Sequence, residues 1–394
     1  MNAMNAGPAE RVRDLLDRHQ MRNHDLAARL GISDDKLSKS LRGNREFATG
    51  ELADIADVFD VDIYWLISGE AHRRSPLLSH RHTYDHETGA HVAPTGPMAT
   101  EIDSLARAYT QAELDTSESD GLFDAFVQRV GASGVDRTAA NPWTGMRAVA
   151  DVVRAEWLRY CDGRDPVLTM GDFLAERIGI DLVVLDGGAG SGAVEAHSLK
   201  AGGCRSIAIG QTAAWYSAVF GILHELGHHL FDDLAPKGDE GLTDRPVSAE
   251  ALVNGFAANV VLPKPVLESV PVESSLEHLA ETLWDTCAGV SSFRHRCSTI
   301  GLDRAVPWNQ ADVTKSWEET HPDGQRSRAE LWRAPSFPER LITRHEQLVE
   351  SAEVPPDSLA WMLQVPVEDV EPMPSVHHDS ADGCEVLELL GIDA

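Results

Sequence analysis

His224, Glu225 and His228 stand as His-Glu-Leu-Gly-His inside the apolar run Ala218-Val-Phe-Gly-Ile-Leu-His-Glu-Leu-Gly-His-His-Leu-Phe231. On a helix, four residues advance about 400°, so the two histidines project from one face a turn apart and can hold one ion through imidazole nitrogen. Glu225 lies about 100° round from His224, out of line for a planar third ligand but placed to take a proton from a water that the ion activates. Polar side chains in so apolar a helix are costly unless something satisfies them. The chemistry this spacing prepares is hydrolysis.

A catalytic zinc takes three protein ligands and leaves the fourth position to water. Val247-Ser-Ala-Glu-Ala-Leu-Val-Asn-Gly-Phe-Ala-Ala-Asn-Val-Val-Leu-Pro263 carries one acid, Glu250, in an otherwise apolar helix, with Asn254 one turn on and on the same face. Glu250 is expected to coordinate the ion and Asn254 to orient a ligand through a hydrogen bond. The competing reading puts Glu250 on a solvated first turn, where acids complement the helix dipole. His229 points away from the pair and reads as a surface or core histidine.

A second chemistry belongs to Asn23-His-Asp-Leu-Ala-Ala-Arg-Leu-Gly-Ile-Ser-Asp-Asp-Lys-Leu-Ser-Lys-Ser-Leu-Arg42, two short helices crossing at a tight turn. Ala27 permits close packing, Gly31 can end the first helix in the left-handed conformation, and Ser33 can cap the second. Together with the closing Phe59-Asp-Val-Asp-Ile-Tyr-Trp-Leu-Ile-Ser-Gly69, residues 10–68 resemble the Cro/repressor-type (XRE) helix-turn-helix domain. That resemblance implies that Asp34 to Arg42 lies in the major groove, with Lys36, Ser38 and Lys39 reaching base edges and Arg42 and Arg45 holding phosphates. Asp34 and Asp35 suit a helix N-terminus but repel the DNA backbone, so modest, strongly salt-dependent affinity is expected, and a domain used only for dimerisation is the alternative.

Residues of about 145–305 resemble the ImmA/IrrE zinc metallopeptidases through Ala155-Glu-Trp157, the His-Glu-x-x-His helix, Asn254-Gly-Phe-Ala-Ala258 to Leu262-Pro263, and Gly289-Val-Ser-Ser-Phe-Arg-His-Arg-Cys-Ser-Thr-Ile-Gly-Leu302. The resemblance implies an intracellular peptidase that cleaves or inactivates a transcriptional repressor in mobile-element induction or stress. Many relatives carry a second acid where this chain has Leu252, which leaves Glu250 as the available carboxylate. The expected mechanism has His224, His228 and Glu250 holding Zn²⁺ while Glu225 acts as general base and then returns the proton to the leaving amine. The substrate is expected to add as a strand at the edge Arg205 to Ile209, with Tyr216 and His295 as candidate oxyanion donors.

The elements that must position these groups read as a mainly α protein with a small antiparallel β-sheet (α+β). An all-helical unit spans residues 8–70, a linker 71–99, a zincin-like domain with a helical lead-in 100–305, and a helical region 306–394. Ile180 to Leu185, Ala193 to Leu199 and Arg205 to Ile209 read as strands, followed by helices from Ala213 to about Phe231 and Ser248 to Leu262. Trp143 and Trp157 are expected core anchors. His72, His80, His82, His86 and His91 in the linker lack ligand spacing. Asp186-Gly-Gly-Ala-Gly-Ser-Gly192 precedes a strand rather than a helix, so it reads as a hairpin loop and not a phosphate cradle. Leu359 to Val370 echoes Leu26 to Leu37 in apolar spacing, suggesting a second helix-turn-helix-like fold; its Glu368 and Asp369 argue against DNA contact there.

A length of 394 residues, 42% apolar and 25% charged, fits two or three globular domains and excludes wholesale disorder. The net charge of −29 repels nucleic acid, yet residues 1–70 hold 9 Lys/Arg against 13 Asp/Glu, so DNA contact is expected near the N-terminus alone. The five cysteines form no Cys-x-x-Cys pair, which argues for reduced thiols. No apolar stretch reaches the roughly 20 residues of a membrane span, and a cytoplasmic homodimer is expected. Two other functions fit: a non-catalytic XRE-type transcription factor whose metal domain senses a signal or binds a partner, and a peptidase whose N-terminal domain binds protein.

Overall fold

The computed structural model describes residues 7–19, 21–59, 61, 66–67, 77–78, 83–84, 91–92, 97–135, 141–186, 194–231, 235–236, 249–304 and 306–370. The N-terminal helices are α1 (Pro8–Arg18), α2 (Asn23–Arg29), α3 (Asp34–Leu41) and α4 (Thr49–Phe59). They enclose a core of their own around Val12, Leu15, Leu26, Ala27, Leu37 and Ile55. Gly31 takes φ +64° at the α2–α3 turn, a left-handed conformation that glycine adopts without a Cβ penalty. The Ser33 hydroxyl then accepts the Lys36 N–H at 3.3 Å and caps α3. Arg11 donates to the carbonyls of Leu66 and Ile67, fastening α1 to the end of the domain.

Next come α5 (Pro97–Ala112), α6 (Ser117–Val130), α7 (Trp143–Cys161) and α8 (Met170–Phe173), then the sheet. Its strands are β1 (Leu77–Leu78), β4 (Asp181–Leu185), β5 (Ala196–Ala201), β6 (Cys204–Gly210) and β7 (Ala235–Pro236), in the order β4-β6-β5-β1-β7. A separate ribbon joins β2 (Thr83–Tyr84) to β3 (His91–Val92). The expectation of an antiparallel sheet is corrected: β5 and β6 form a hairpin, but β4 pairs with β6 in parallel, making the sheet mixed. The reason is visible in β4 itself, an almost continuous apolar run buried on both faces, as parallel strands are. β6 is consequently an interior strand, so the proposed docking edge at Arg205 to Ile209 does not exist.

Within the segment 71–99, read as linker, Leu77–Leu78 joins the sheet and α5 already starts at Pro97. His72, His80, His82 and His86 lie outside the described residues, as does the glycine loop beyond Asp186.

The sheet is followed by α9 (Trp215–Leu230), α10 (Ala249–Val261), α11 (Lys264–Ser269), α12 (Leu276–Asp285), α13 (Val290–Thr299), α14 (Gln310–Thr320) and α15 (Pro322–Glu330). One hydrophobic core joins these helices to the sheet and includes Trp157, Phe173, Trp215, Phe256 and Phe293, with Trp143 packed at its margin. Val313, Trp317 and Trp332 belong to it too, so the core runs past residue 305.

Ile342–Ala394 is a separate compact unit, described as far as residue 370. It contains most of α16 (Glu339–Glu350) and α17 (Asp357–Leu363). Among the described residues, α17 is followed by a single 3₁₀ turn, Val367–Asp369.

Candidate metal centre and DNA-binding element

α10 lies between α9 and α7 because glycine opens both of its contacts. A Cβ on Gly227 would stand 3.0 Å from Val253 Cβ and 3.1 Å from Phe256 Cδ1, and a Cβ on Gly255 2.9 Å from the Trp143 ring. This close approach sets the face of α10 that carries Glu250 and Asn254 against the histidine face of α9. Sequence spacing alone gives no sign of Gly227's role, although glycine inside a helix costs about 1 kcal/mol and so asks for a packing reason.

The two histidines are buried, at 3% and 2% exposure, with their Nε2 atoms 3.1 Å apart. Glu250 completes a triangle, its Oε2 3.4 Å from His224 Nε2 and its Oε1 3.4 Å from His228 Nε2. Asn254 Oδ1 lies 3.0 Å from His224 Nδ1. An amide oxygen only accepts, so His224 carries its proton on Nδ1 and presents a bare Nε2 lone pair to its neighbours. Burial alone would raise the Glu250 pKa, but the two imidazoles outweigh it and hold the carboxyl well below the usual range. Two imidazole nitrogens and a carboxylate, all of them usual zinc donors, thus converge in a buried site. Four donors about 2.0–2.1 Å from one zinc ion stand about 3.3–3.4 Å from one another, the scale of the 3.1 Å between the imidazole nitrogens and of the 3.4 Å from each nitrogen to its own Glu250 oxygen.

Glu225 is fully buried, and with His224 and His228 it forms a group able to hold a metal, with ligand atoms all within 4.8 Å of one another. Its Oε1 stands 4.0 Å from His224 Nε2, whereas Glu250 reaches both imidazoles at 3.4 Å. Glu250 thus stands closer to the two imidazole nitrogens than Glu225 does to that of His224. The buried Ser198 hydroxyl on β5 lies 2.8 Å from Glu225 Oε2 and 2.8 Å from the Glu225 carbonyl, holding the carboxylate's orientation. Nothing in the sequence marks Ser198, because its partner is 27 residues away.

The other groups named from the sequence lie around this cluster. His229 is buried, donates Nε2–H to the Ser206 carbonyl at 3.0 Å, and is pushed down to about 4 by burial, so it stays neutral. Leu252 is in the core. Arg154 donates to the carbonyls of Val260 and Val261, and Arg296 to Asn259 and the Leu262 carbonyl, so two guanidinium groups close the C-terminus of α10. Tyr216 packs against Trp215 and Trp317 two turns from His224, and His295 is exposed on α13.

In the N-terminal domain Lys36, Lys39 and Arg42 are exposed and Ser38 half-buried along α3. Lys39 pairs with Asp35 at 2.7 Å and Lys36 with Glu51 at 3.5 Å. Arg45 faces inward: it donates to both Glu51 oxygens, at 2.6 and 2.7 Å, and to Ser40. Among the described residues Arg42 makes no ion pair. It is thus the α3 base most available to a phosphate.

Residues 11–67 match the family of Cro/C1-type HTH DNA-binding domains. No curated protein and no solved structure matches the chain. The N-terminal unit is thus a DNA-binding domain of that type, and the chain carries the DNA-binding element of a transcription regulator. Among the described residues no helix is long and apolar enough to cross a membrane.

Proposed function

We propose that the chain is a DNA-binding transcriptional regulator with a zinc-dependent endopeptidase domain of ImmA/IrrE type, acting as a cytoplasmic homodimer on a repressor or other regulatory protein in a stress or mobile-element response. The observation that supports the enzymatic part is the convergence of His224 Nε2, His228 Nε2 and the Glu250 carboxylate, the nitrogens 3.1 Å apart and each 3.4 Å from a different Glu250 oxygen, with a second carboxylate, Glu225, beside them.

His224, His228 and Glu250 would hold the ion, with Asn254 fixing the His224 tautomer. Bound zinc supplies Lewis-acid polarisation of a peptide carbonyl and acidifies water. The chain's own part is proton transfer. Glu225, oriented by Ser198, accepts the proton of the attacking water and delivers it to the departing amine. The water-poor wall around α9, buried from Ile222 to Leu230, strengthens each of these interactions.

The test is Glu225→Gln in zinc-loaded protein with β-casein or a co-encoded repressor as substrate. The expected outcome is about one zinc per chain in both forms and a loss of cleavage of at least about 10²-fold, the usual scale for a general base. Equal cleavage by the two forms would remove Glu225 from the reaction. A zinc-loaded parent that cleaves neither protein would favour a metal domain that senses or binds.

A further inference from the structure

α3 opens with two carboxylates, Asp34 and Asp35, at the end of the helix that reads base edges in a domain of this type. Lys39 holds Asp35 at 2.7 Å. Asp34 instead lies against His24 of α2, its two oxygens 3.0 and 3.3 Å from Nδ1, with 72% of the histidine side chain and 61% of the aspartate exposed. An ionised carboxylate only accepts, so Nδ1 carries the proton and Nε2 of the neutral ring is a bare lone pair. Among the described residues nothing hydrogen-bonds to that Nε2. The first helix of such a domain crosses the DNA backbone while the start of the second enters the groove, so a side chain of α2 held to the first residue of α3 is on the side that meets phosphate.

We propose that His24 is a phosphate-contacting residue that acts as the imidazolium, donating Nδ1–H to Asp34 and Nε2–H to a backbone phosphate, so that DNA binding takes up one proton from solvent. This rests on the DNA-binding domain and is independent of the peptidase reading. Phosphate oxygens, like the carboxylate, only accept, and a neutral ring whose single proton faces Asp34 turns a lone pair towards them. A second proton turns that repulsion into a charge-assisted hydrogen bond and sets a positive charge between two negative groups. Imidazole is the side chain that makes this change near neutral pH. The other charges about the ring are Arg22 and Asp25 on α2, which pair with each other at 2.9 and 3.1 Å, and Asp35, held by Lys39. Asp34 is thus the carboxylate that the ring touches, and its repulsion of DNA is relieved by the group that the DNA itself helps to charge.

The test titrates a fluorescein-labelled duplex of random sequence with the full chain, followed by anisotropy at about pH 6 and about pH 8 and at one ionic strength, since phosphate contacts carry no sequence information. Other histidines charge over the same range, so the comparison is with His24→Gln, whose amide stays neutral. From the higher to the lower pH the parent is expected to gain at least about fivefold more affinity than His24→Gln, one linked proton contributing up to about tenfold per pH unit. Asp34→Asn supplies the second reading. An amide can donate to Nδ1 and leave the single ring proton for phosphate, so affinity at the higher pH should rise and the pH response shrink. Circular dichroism verifies that both variants, each at an exposed position, are folded. An equal pH response in the parent and His24→Gln, or an Asp34→Asn chain that binds as the parent does at both pH values, overturns the proposal and leaves the DNA-binding domain standing. Binding by no form at either pH removes the DNA-binding reading as well.

Discussion

Asn254 decides more at the metal centre than its neutral side chain suggests. By accepting from Nδ1 it fixes which His224 nitrogen faces Glu250, a constraint that has to be built only once if His228 follows from the ion itself. Asn254→Ala is expected to lower zinc affinity about 10–100-fold while leaving the fold intact, measured by competition with a chromophoric chelator. Unchanged affinity would mean that the tautomer is set elsewhere. The two histidines and Glu225 were legible from spacing because a helix makes i and i+4 neighbours whatever the rest of the chain does. Glu250 was legible as the lone acid of an apolar helix. Ser198 and Gly227 were not, since each acts through a partner brought close only by tertiary packing.

At the scale of elements, the account depends on how closely α10 meets α9. Gly227→Ala places a methyl carbon 3.0 Å from Val253 Cβ and 3.1 Å from Phe256 Cδ1, so the neighbours must give by a few tenths of an ångström. Overpacking of this kind costs about 1–3 kcal/mol, and the relief available is a shift of α10 that carries Glu250 away from the imidazoles. Chemical denaturation should show the lost stability and chelator competition a loss of zinc affinity; a change in neither would mean that the helices have room to spare. The α3–α4 corner makes a second case. Burial pushes the Glu51 carboxyl up, but the Arg45 fork and the Ala48 N–H outweigh it and hold its pKa below the ordinary 4.5. The stabilisation is therefore complete above about pH 4.5 and is lost as pH falls through the lowered folded value. Arg45→Ala should destabilise the DNA-binding domain by about 1–3 kcal/mol at pH 7 and by less at pH 3, seen by hydrogen exchange of α4. A loss independent of pH would deny the pair. Strand directions were the part of the fold that sequence order obscured. Three successive strands suggest a meander, whereas β4, apolar and buried on both faces, is the end strand of the sheet and pairs in parallel with β6.

For the whole molecule, charge is the governing quantity. Of the −29, the segment 1–70 carries only −4, so the field of the remaining chain opposes DNA while the N-terminal domain must engage it. Arg42, exposed and outside any described ion pair, should carry much of that engagement. Arg42→Ala is expected to weaken DNA binding for specific and random duplex alike and to reduce the slope of log K against log salt by about 1, measured by fluorescence titration from 50 to 200 mM salt. An unchanged slope would place the phosphate contacts on other side chains. The central claim remains that His224, His228 and Glu250 grip one zinc ion, and elemental analysis of purified protein after dialysis against a weak chelator tests it directly. About one zinc per chain is predicted for the parent and for Glu225→Gln, and close to none for His228→Ala or Glu250→Ala. A parent free of zinc after reconstitution, or full retention in Glu250→Ala, would contradict it.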